Sequence, residues 1–400
     1  MTPSVEREHG APVAALAAAL LFNLGQGVLR PSMPLYLQRA FAANYRMVTL
    51  IPVVFGAGKW VANMPTGYLL NRFGCRLMIA GLALIAVIDV LSIVTSRFGV
   101  FLGLRALGGV GWAMFATVAT TATVGLPTSR RRGRAVSLLL MCETSGLLFG
   151  SAVGGWLNQG VGIGSPFVFE AACMVVAAIA VARWASLPSD ATPPRQRTPD
   201  RGVLGRVLRT PGVMLMGVTN ALLTAIQTGT LVFLFPLYLL ARRGFGPEAV
   251  GAVVSLGVLG RLVALWLGGT VSDRWGRMHV VIPGLVSYAV SLTATSRLSQ
   301  PFLLALCSFA IGATAGFVAP VPAAVTGDQV EHPQQGVAIG WLRTMSDSGQ
   351  IIGPLVMGAL ADAIDLSAPF LFGAVLLVAT AWSCRYRANA IAAAAGGRDA

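Results

Sequence analysis

Charged side chains are scarce in this 400-residue chain. They make up 11% of the residues, whereas soluble domains carry about 25%. Apolar residues make up 55% of the chain and fall into long runs, and a helix needs about 20 such residues to cross a bilayer. The composition therefore excludes an ordinary soluble protein and predicts an all-α polytopic membrane protein with twelve transmembrane helices.

Residues that usually carry catalysis or bind metals are also few. The five cysteines have no metal-ligand spacing, so they predict neither a disulfide framework nor a zinc site. The three histidines fall in the tail and the loops, and the sequence has no GxxxxGK[ST] phosphate loop. We therefore expect no enzyme activity, no metal, no cofactor and no direct use of ATP, which leaves an ion gradient, most simply of protons, as the energy source.

We number the predicted spans 1 to 12 in chain order. They lie near residues 12–38, 47–70, 77–96, 98–124, 134–158, 165–185, 212–241, 246–270, 278–297, 300–325, 335–361 and 366–384. This places an N-terminal six-helix bundle at 1–185, a cytoplasmic linker at 186–211, a C-terminal six-helix bundle at 212–385 and a cytoplasmic tail at 386–400.

The linker and the tail differ in composition from the spans. The linker is rich in proline and arginine, and its last part, with Leu204, Val207 and Leu208, has the spacing of a short helix at the inner leaflet. A disordered tether is the alternative. The Ala/Gly-rich tail after Arg387 is expected to be disordered.

The basic residues are distributed unevenly over the loops. The net charge is +14, and the loops on one predicted side hold eighteen arginines against six on the other. This positive-inside asymmetry predicts that both termini are cytoplasmic in a bacterial inner membrane. It accounts for the charge without a nucleic-acid partner.

The two halves of the chain repeat each other at a nearly fixed offset. Pro34–Leu37 recurs as Pro236–Leu239 at an offset of 202, and Ser145, Gly146 and Gly150 recur at an offset of 203. A duplicated helical membrane protein is most simply one whose halves rock about a shared site.

The loops after spans 2 and 8 carry the strongest motif. The first contains Gly67, Asn71, Arg72, Gly74 and Arg76, and its repeat contains Gly269, Asp273, Arg274, Gly276 and Arg277. With these motifs the chain resembles the major facilitator superfamily of secondary transporters along nearly its whole length. The resemblance implies two pseudo-symmetric six-helix bundles and a cytoplasmic gate in which the acidic residue and the arginines contact neighbouring helices.

The first copy of this motif departs from the family pattern. Asn71 stands where an aspartate is usual, and Cys75 replaces a basic residue. An amide can accept hydrogen bonds but cannot form an ion pair, so we expect a weaker charge interaction in this half of the gate.

Glycine motifs lie in spans 4, 5 and 11. Arg105 followed by Gly109 and Gly111 resembles a second motif of the family, in which the arginine is associated with proton coupling. Span 5 resembles the glycine-rich motif of the drug:proton antiporter branch, although Ser151 replaces its proline. The packing glycines predicted in span 5 and its repeat are Gly146, Gly150, Gly154, Gly155, Gly349 and Gly353, the last followed by Pro354.

Acidic residues inside spans are the candidates for proton coupling. A carboxylic acid in a low-dielectric cavity resists ionisation and can exchange protons near neutral pH. Glu143 is the first candidate, Asp347 the second and Asp89 the third. Arg105 and Glu143 are expected to link proton occupancy to substrate release. The alternative for each acid is a static ion pair, such as Asp347 with Arg343 one turn away.

Span 1 has amides near its middle and no acidic residue. Many multidrug exporters of the family have a carboxylate there for cationic drugs, so its absence argues against a strict preference for cations. The candidates for lining a cavity are Asn23, Gln26, Arg30, Asn220, Gln227 and Arg343. Amides in spans also serve to join helices, and that alternative stays open.

These features favour a proton-coupled exporter of small apolar or amphipathic compounds that works by alternating access. The expected partners are a small-molecule substrate, protons and membrane lipid, and we expect a monomer. A proton-coupled importer of a small organic anion is the first alternative, and a non-transporting membrane sensor on the same scaffold is the second.

Overall fold

A computed structural model of the chain describes residues 3–42, 45–124, 129–162, 164–185, 202–242, 244–245 and 247–396. Within these ranges all regular secondary structure is helical, which confirms the predicted all-α class. The predicted spans 1 to 6 lie on the helices Pro3–Phe41, Tyr45–Phe73, Cys75–Val94, Phe98–Val124, Ser129–Gly160 and Ser165–Ala185.

The second half repeats this series with more irregularity. Span 7 begins as the α-helix Pro211–Ala225 and continues through the π-helical segments Ile226–Leu234 and Tyr238–Arg242. Span 10 is divided into Pro301–Val318 and Val321–Gln329 around Pro320. The remaining spans 8, 9, 11 and 12 lie on Pro247–Trp275, Arg277–Arg297, Gln335–Ala363 and Ala368–Gly396.

Nine helices in the described part of the chain are long and apolar enough to cross a membrane. They correspond to spans 3 to 10 and span 12. The helix of span 1 contains a shorter apolar stretch, Ala15–Arg30. The described helices are consistent with twelve spans in all, because every predicted span lies on one.

The segments outside the spans test two expectations. Residues 186–201 of the predicted linker lie outside the described residues, but a helix at Val203–Arg209 confirms the predicted short helix. Val207 is buried there, while Arg206 and Arg209 are exposed. The expected disorder after Arg387 is wrong, since the last helix continues to Gly396. Its many alanines, the best helix formers, account for the extension.

The chain divides into two compact units with exchanged segments. Unit 1 comprises Met1–Thr123, Leu139–Val203 and Pro333–Thr344. Unit 2 comprises Val124–Leu138, Leu204–His332 and Met345–Ala400. Unit 1 therefore includes the first turns of the span 11 helix, and unit 2 includes the first turns of the span 5 helix.

The repeat noted in the sequence recurs in the packing inside each unit. In unit 1 the Tyr36 hydroxyl donates to the Ser92 carbonyl at 2.9 Å. In unit 2 the repeated residue, Tyr238, donates to the Thr295 carbonyl at 3.1 Å. The same side chain thus ties span 1 to span 3 and span 7 to span 9.

Candidate functional site

An ion pair is buried among spans 3 and 4 of unit 1. Arg105 Nη2 donates to Asp89 Oδ1 at 3.0 Å and to Ser92 Oγ at 2.6 Å. The Asp89 side chain is 0% exposed and that of Arg105 is 6% exposed. Since a charge is costly to bury unless it is paired, this contact explains how Arg105 is accommodated inside a span. Two of the predicted proton-coupling residues are therefore in contact.

A third charged residue in this cluster was missed by the sequence analysis. Glu170, on span 6, is fully buried, and its carboxyl group neighbours that of Asp89. Gln26 Nε2 on span 1 donates to Glu170 Oε1 at 2.5 Å. The signal was present, because Glu170 lies inside the predicted span at 165–185. A count of every acidic residue within the spans would have found it.

Aromatic rings enclose the arginine of this cluster. The Arg105 Cζ lies 5.4 Å from the ring centroid of Phe101 and 5.4 Å from that of Phe167. A guanidinium over an aromatic face is attracted by the ring quadrupole. The rings also restrict where the guanidinium can move, so Arg105 is held facing the two carboxyl groups.

The first proton-coupling candidate, Glu143, lies in a second charged group of unit 1. Its Oε1 is 3.6 Å from Arg343 Nη2, and the two side chains are 18% and 17% exposed. Arg343 Nη2 also donates to Thr120 Oγ1 at 2.5 Å. The ion-pair partner that the structure gives Arg343 is Glu143, on another helix, rather than Asp347 on its own helix.

Trp112 joins two cations in the same unit. The Arg343 Cζ lies 5.3 Å from the Trp112 ring centroid, and the Lys59 Nζ lies 4.2 Å from it. Trp112 is on span 4, Lys59 on span 2 and Arg343 on the exchanged segment of span 11. The indole therefore lies within cation–π distance of both positive charges and interacts favourably with each.

The other cavity candidates of unit 1 have different environments. Asn23 is buried, and its Nδ2 donates to the Ala19 carbonyl of its own helix at 2.9 Å. Gln26 is bound to Glu170, as described above. The Arg30 side chain is exposed. Of the three, Gln26 alone joins the buried charged cluster, where it connects span 1 to span 6.

The candidates of unit 2 lie on spans 7 and 11. Asn220 is half-buried on the α-helical part of span 7, and Gln227 is half-buried in its π-helical part. Asp347 is buried on span 11. Near it, the hydroxyl groups of Thr224 and Ser346 are 2.9 Å apart and connect spans 7 and 11.

The end of the span 2 helix, which continues through the predicted loop residue Asn71 to Phe73, contacts the exchanged segment of span 11 within unit 1. Asn71 Nδ2 donates to the Pro333 carbonyl at 2.8 Å. Gly74 has a φ of 55°, which favours glycine, and the side chains of Arg72 and Arg76 are exposed. A Cβ on Gly67 would lie 2.9 Å from the Gly336 carbonyl carbon. The amide of Asn71 thus acts as a donor, a role that an aspartate could not fill.

The end of the span 8 helix, which continues through the predicted loop residue Asp273 to Trp275, makes the equivalent contact within unit 2, with a charge. Asp273 accepts hydrogen bonds from the backbone N–H groups of Gly133 at 3.0 Å and Arg134 at 2.9 Å. It also forms an ion pair with Arg277, which in turn donates to Asp328 at 3.2 Å. A carboxylate is favourable near a helix N-terminus, and here it meets the first turns of span 5.

The other residues of this copy of the motif are Gly276, Arg274 and Gly269. Gly276 has a φ of 92°, a conformation that favours glycine. The Arg274 side chain is exposed. Gly269 lies within the span 8 helix.

The predicted glycines of span 5 pack directly on the backbone of span 1. A Cβ on Gly146 would lie 2.7 Å from the Leu20 carbonyl oxygen, and one on Gly150 would lie 2.9 Å from the Gly27 Cα. Gly154 is equally close to Val28, and Gly155 lies on the same helix. Ser151 Oγ donates to the Leu147 carbonyl at 2.8 Å, so the serine is accommodated without a proline bend.

Span 11 packs on span 7 in the same way inside unit 2. A Cβ on Gly349 would lie 2.8 Å from the Ala221 carbonyl carbon, and one on Gly353 would lie 2.6 Å from the Ala225 Cα. Pro354 follows inside the helix. In span 4, a Cβ on Gly109 would lie 2.9 Å from the backbone nitrogen of Lys59. One on Gly111 would lie 2.8 Å from the Gly81 carbonyl oxygen. These glycines permit helices to approach to backbone contact.

Comparisons with known proteins agree with this architecture. A family model described as Major Facilitator Superfamily matches residues 15–267 and 220–390. "Multidrug resistance protein 2" of Bacillus subtilis (strain 168) is 21% identical over 384 residues, covering 94% of this chain and 95% of the relative. The MFS-type transporter YcaD of Salmonella enteritidis PT4 (strain P125109) is 27% identical over 350 residues, covering 85% of this chain and 86% of the relative.

A solved structure also has the same fold. The transporter FucP, crystallised in the outward conformation, superposes with a TM-score of 0.76 at 16% identity, covering 94% of this chain and 98% of FucP. At this identity the likeness concerns the fold alone.

Proposed function

Since the chain belongs to the major facilitator superfamily of multi-pass membrane transporters, we propose that it exports small apolar or amphipathic compounds in exchange for protons. The proposal places it in a bacterial inner membrane as a monomer, with both termini in the cytoplasm and alternating access as its mode of action. The positive-inside distribution of arginines supports this orientation.

The contact between Glu143 and Arg343 carries the proposal. Glu143 Oε1 lies 3.6 Å from Arg343 Nη2 on another membrane helix, and each side chain is nearly one-fifth exposed. A carboxyl group in that position lies next to a cation and is accessible enough to exchange a proton. Protonation of Glu143 would remove its attraction to Arg343. Arg343 would then keep its contacts with Thr120 and Trp112.

Export of apolar or amphipathic compounds is supported by the family relatives and by the charge pattern. One relative is named a multidrug resistance protein, and the glycine face of span 5 resembles the antiporter motif. Span 1 contains no acidic residue between positions 12 and 38. We therefore propose a substrate range that includes neutral compounds as well as cations.

The contacts of Asn71 and Asp273 supply the proposed gate. Asn71 binds the carbonyl of Pro333, just before the span 11 helix, and Asp273 binds the first turns of the span 5 helix. In an alternating-access cycle these contacts would break each time the cytoplasmic side opens and form again when it closes.

The test is transport by the full chain in inverted membrane vesicles with an imposed pH difference, acid inside. The probes are the lipophilic cation ethidium and the neutral dye Nile Red. We expect both dyes to accumulate in vesicles that contain the protein, and we expect the substitution Glu143→Gln to abolish gradient-driven accumulation. Glu331→Gln is the matched control, because Glu331 is exposed outside the spans, and it should transport like the original protein.

Two results would count against the proposal. Accumulation that continues undiminished in the Glu143→Gln variant would exclude Glu143 as the coupling group. Accumulation that ignores the pH difference in the original protein would exclude proton coupling itself.

A second candidate function is suggested by the cations around Trp112. Lys59 and Arg343 both lie against its ring, and such a concentration of positive charge suits a small organic carboxylate. This proton-coupled importer would take up benzoate into right-side-out vesicles that are acidic outside. If the protein binds a dye or benzoate but transports it in neither direction, the result would instead favour a non-transporting membrane sensor.

A further inference from the structure

The charges in the buried cluster of spans 1, 3, 4 and 6 do not balance. Two carboxyl groups, Asp89 and Glu170, are fully buried beside one guanidinium, that of Arg105. If both acids were ionised, a net negative charge would remain in a region from which water is excluded. Such a charge is usually removed by proton binding, because two like charges that share a site cannot both be ionised without a large cost.

The hydrogen bonds within the cluster indicate where a proton is missing. Asp89 uses Oδ1 for Arg105, and Glu170 uses Oε1 for Gln26. Among the described residues, no donor reaches the remaining oxygens, Asp89 Oδ2 and Glu170 Oε2, although both are buried. Yet the two carboxyl groups are in contact with each other. Two acceptors in contact without a donor are satisfied by a single proton on one of them.

The surrounding described groups give no hydrogen bond to those two oxygens. From span 1, Gln26 and Tyr36 face the cluster, and the Tyr36 hydroxyl is already donated to the Ser92 carbonyl. From span 4, Arg105 faces it as one cation for two acids. Its Nη2 donates to Asp89 and Ser92, and its Nε reaches no described acceptor. From span 6, the thiol of Cys173 lies near Glu170 and is a weak donor.

We infer that Asp89 and Glu170 together hold one proton beside Arg105. The proton connects span 3 to span 6, while Arg105 and Gln26 connect the same two acids to spans 4 and 1. Loss of the proton would leave two carboxylates in contact. Because they repel each other, they would separate, and their contacts with Arg105 and Gln26 would change. A role for this site in transport rests on the proton coupling proposed above, whereas its occupancy by a proton can be measured separately.

The experiment is infrared spectroscopy of the full-length protein in lipid, in H₂O and in D₂O at neutral pH. A buried protonated carboxyl group gives a C=O stretching band that shifts on deuteration. We expect this band in the original protein and its loss in Glu170→Gln, because Asp89 alone would be ionised opposite Arg105. We expect its loss in Asp89→Asn as well, because Glu170 would then be the ion opposite Arg105.

Loss of the band in Asp89→Asn distinguishes a shared proton from an ordinary buried acid. If Glu170 were protonated only because it is buried, Asp89→Asn would keep the band, and the inference would be overturned. Arg105→Met removes the cation and should double the band intensity, since both acids would then be neutral. Circular dichroism and gel filtration establish that each variant is folded, and Glu331→Gln serves as the control with an unchanged band.

Vesicle transport separates this inference from the proposed function. If the C=O stretching bands of the variants are as expected but the transport rate does not depend on the pH difference, the shared proton is supported and the proposed proton coupling is excluded. If transport depends on the pH difference but Asp89→Asn retains the band, the proposed function stands and the shared proton is overturned.

Discussion

The side-chain amide of Asn71 donates a hydrogen bond to the carbonyl of Pro333 at 2.8 Å. Pro333 lies immediately before the helix of span 11. Its counterpart in the repeat, Asp273, accepts from backbone N–H groups in the first turns of span 5. The two copies of the motif therefore bind the start of a neighbouring helix in opposite ways, Asn71 as a hydrogen-bond donor and Asp273 as an acceptor. The departure of Asn71 from the family pattern matches the group that it meets, which is a carbonyl oxygen.

Replacement of Asn71 should distinguish a donor from a simple polar contact. Asn71→Ala loses a hydrogen bond whose net contribution is about 0.5–1.5 kcal/mol, and Asn71→Asp additionally places a carboxylate against the Pro333 carbonyl. We expect thermal unfolding in detergent to occur at a lower temperature for both variants, with the larger decrease for Asn71→Asp. An aspartate variant as stable as the original protein would show that the amide hydrogen is not needed.

Replacement of Asp273 should affect unit 2 more strongly. Asp273→Asn keeps the size of the side chain but loses the charge opposite Arg277 and one of two acceptor oxygens. Hydrogen bonds to charged groups contribute about 1.5–3 kcal/mol, and Asp328 remains to hold Arg277. We therefore expect a destabilisation of about that size, together with a lower transport rate in vesicles.

The control for Asp273 is another aspartate that lies on the surface. Asp362 is exposed on the span 11 helix, and Asp362→Asn should leave both the unfolding temperature and the transport rate unchanged. Equal effects of the two substitutions would mean that loss of any negative charge, rather than the loss of the contact with span 5, is responsible.

The glycine contact between spans 7 and 11 predicts a difference between two glycines of one helix. A Cβ on Gly349 would lie 2.8 Å from the Ala221 carbonyl carbon, whereas one on Gly358 would meet nothing within 4 Å. Gly349→Ala must push the helices apart, and overpacking of this kind typically costs about 1–3 kcal/mol. Gly358→Ala should be neutral or slightly stabilising, because alanine is the better helix former.

Thermal unfolding of the two glycine variants in the same detergent measures this difference. We expect the Gly349→Ala variant to unfold at the lower temperature and to transport more slowly. If it unfolds at the same temperature as Gly358→Ala, spans 7 and 11 can separate freely and the backbone contact is not important for stability.

Much of the helical framework could be predicted because a bilayer imposes a simple requirement. A span must be apolar for about 20 residues and must satisfy its own backbone hydrogen bonds, so every predicted span lies on a helix. The four-residue spacing of Gly146, Gly150, Gly349 and Gly353 places each pair on one helix face, and each glycine lies against the backbone of a neighbouring helix. The continuation of the last helix to Gly396 was not predicted, because the alanines there were interpreted through composition alone.

The partners of the charged residues depended on distant parts of the chain. Glu170 meets Gln26 across 144 residues of sequence, and Asn71 meets Pro333 across 262. No local pattern states such pairings. The predicted candidates Asp89 and Arg105 are adjacent in the structure, but Glu143 belongs to a different cluster and is paired with Arg343.

The amino-acid sequence by itself determined the helical class, the repeated halves and the glycine turns after spans 2 and 8, because hydropathy, an internal repeat and turn glycines can be read along the chain. Only the tertiary structure decided which acids share a cation and which oxygens lack a donor. Those relationships depend on how helices from separate regions pack, and the free energy of a buried charge is set by the neighbours that packing supplies.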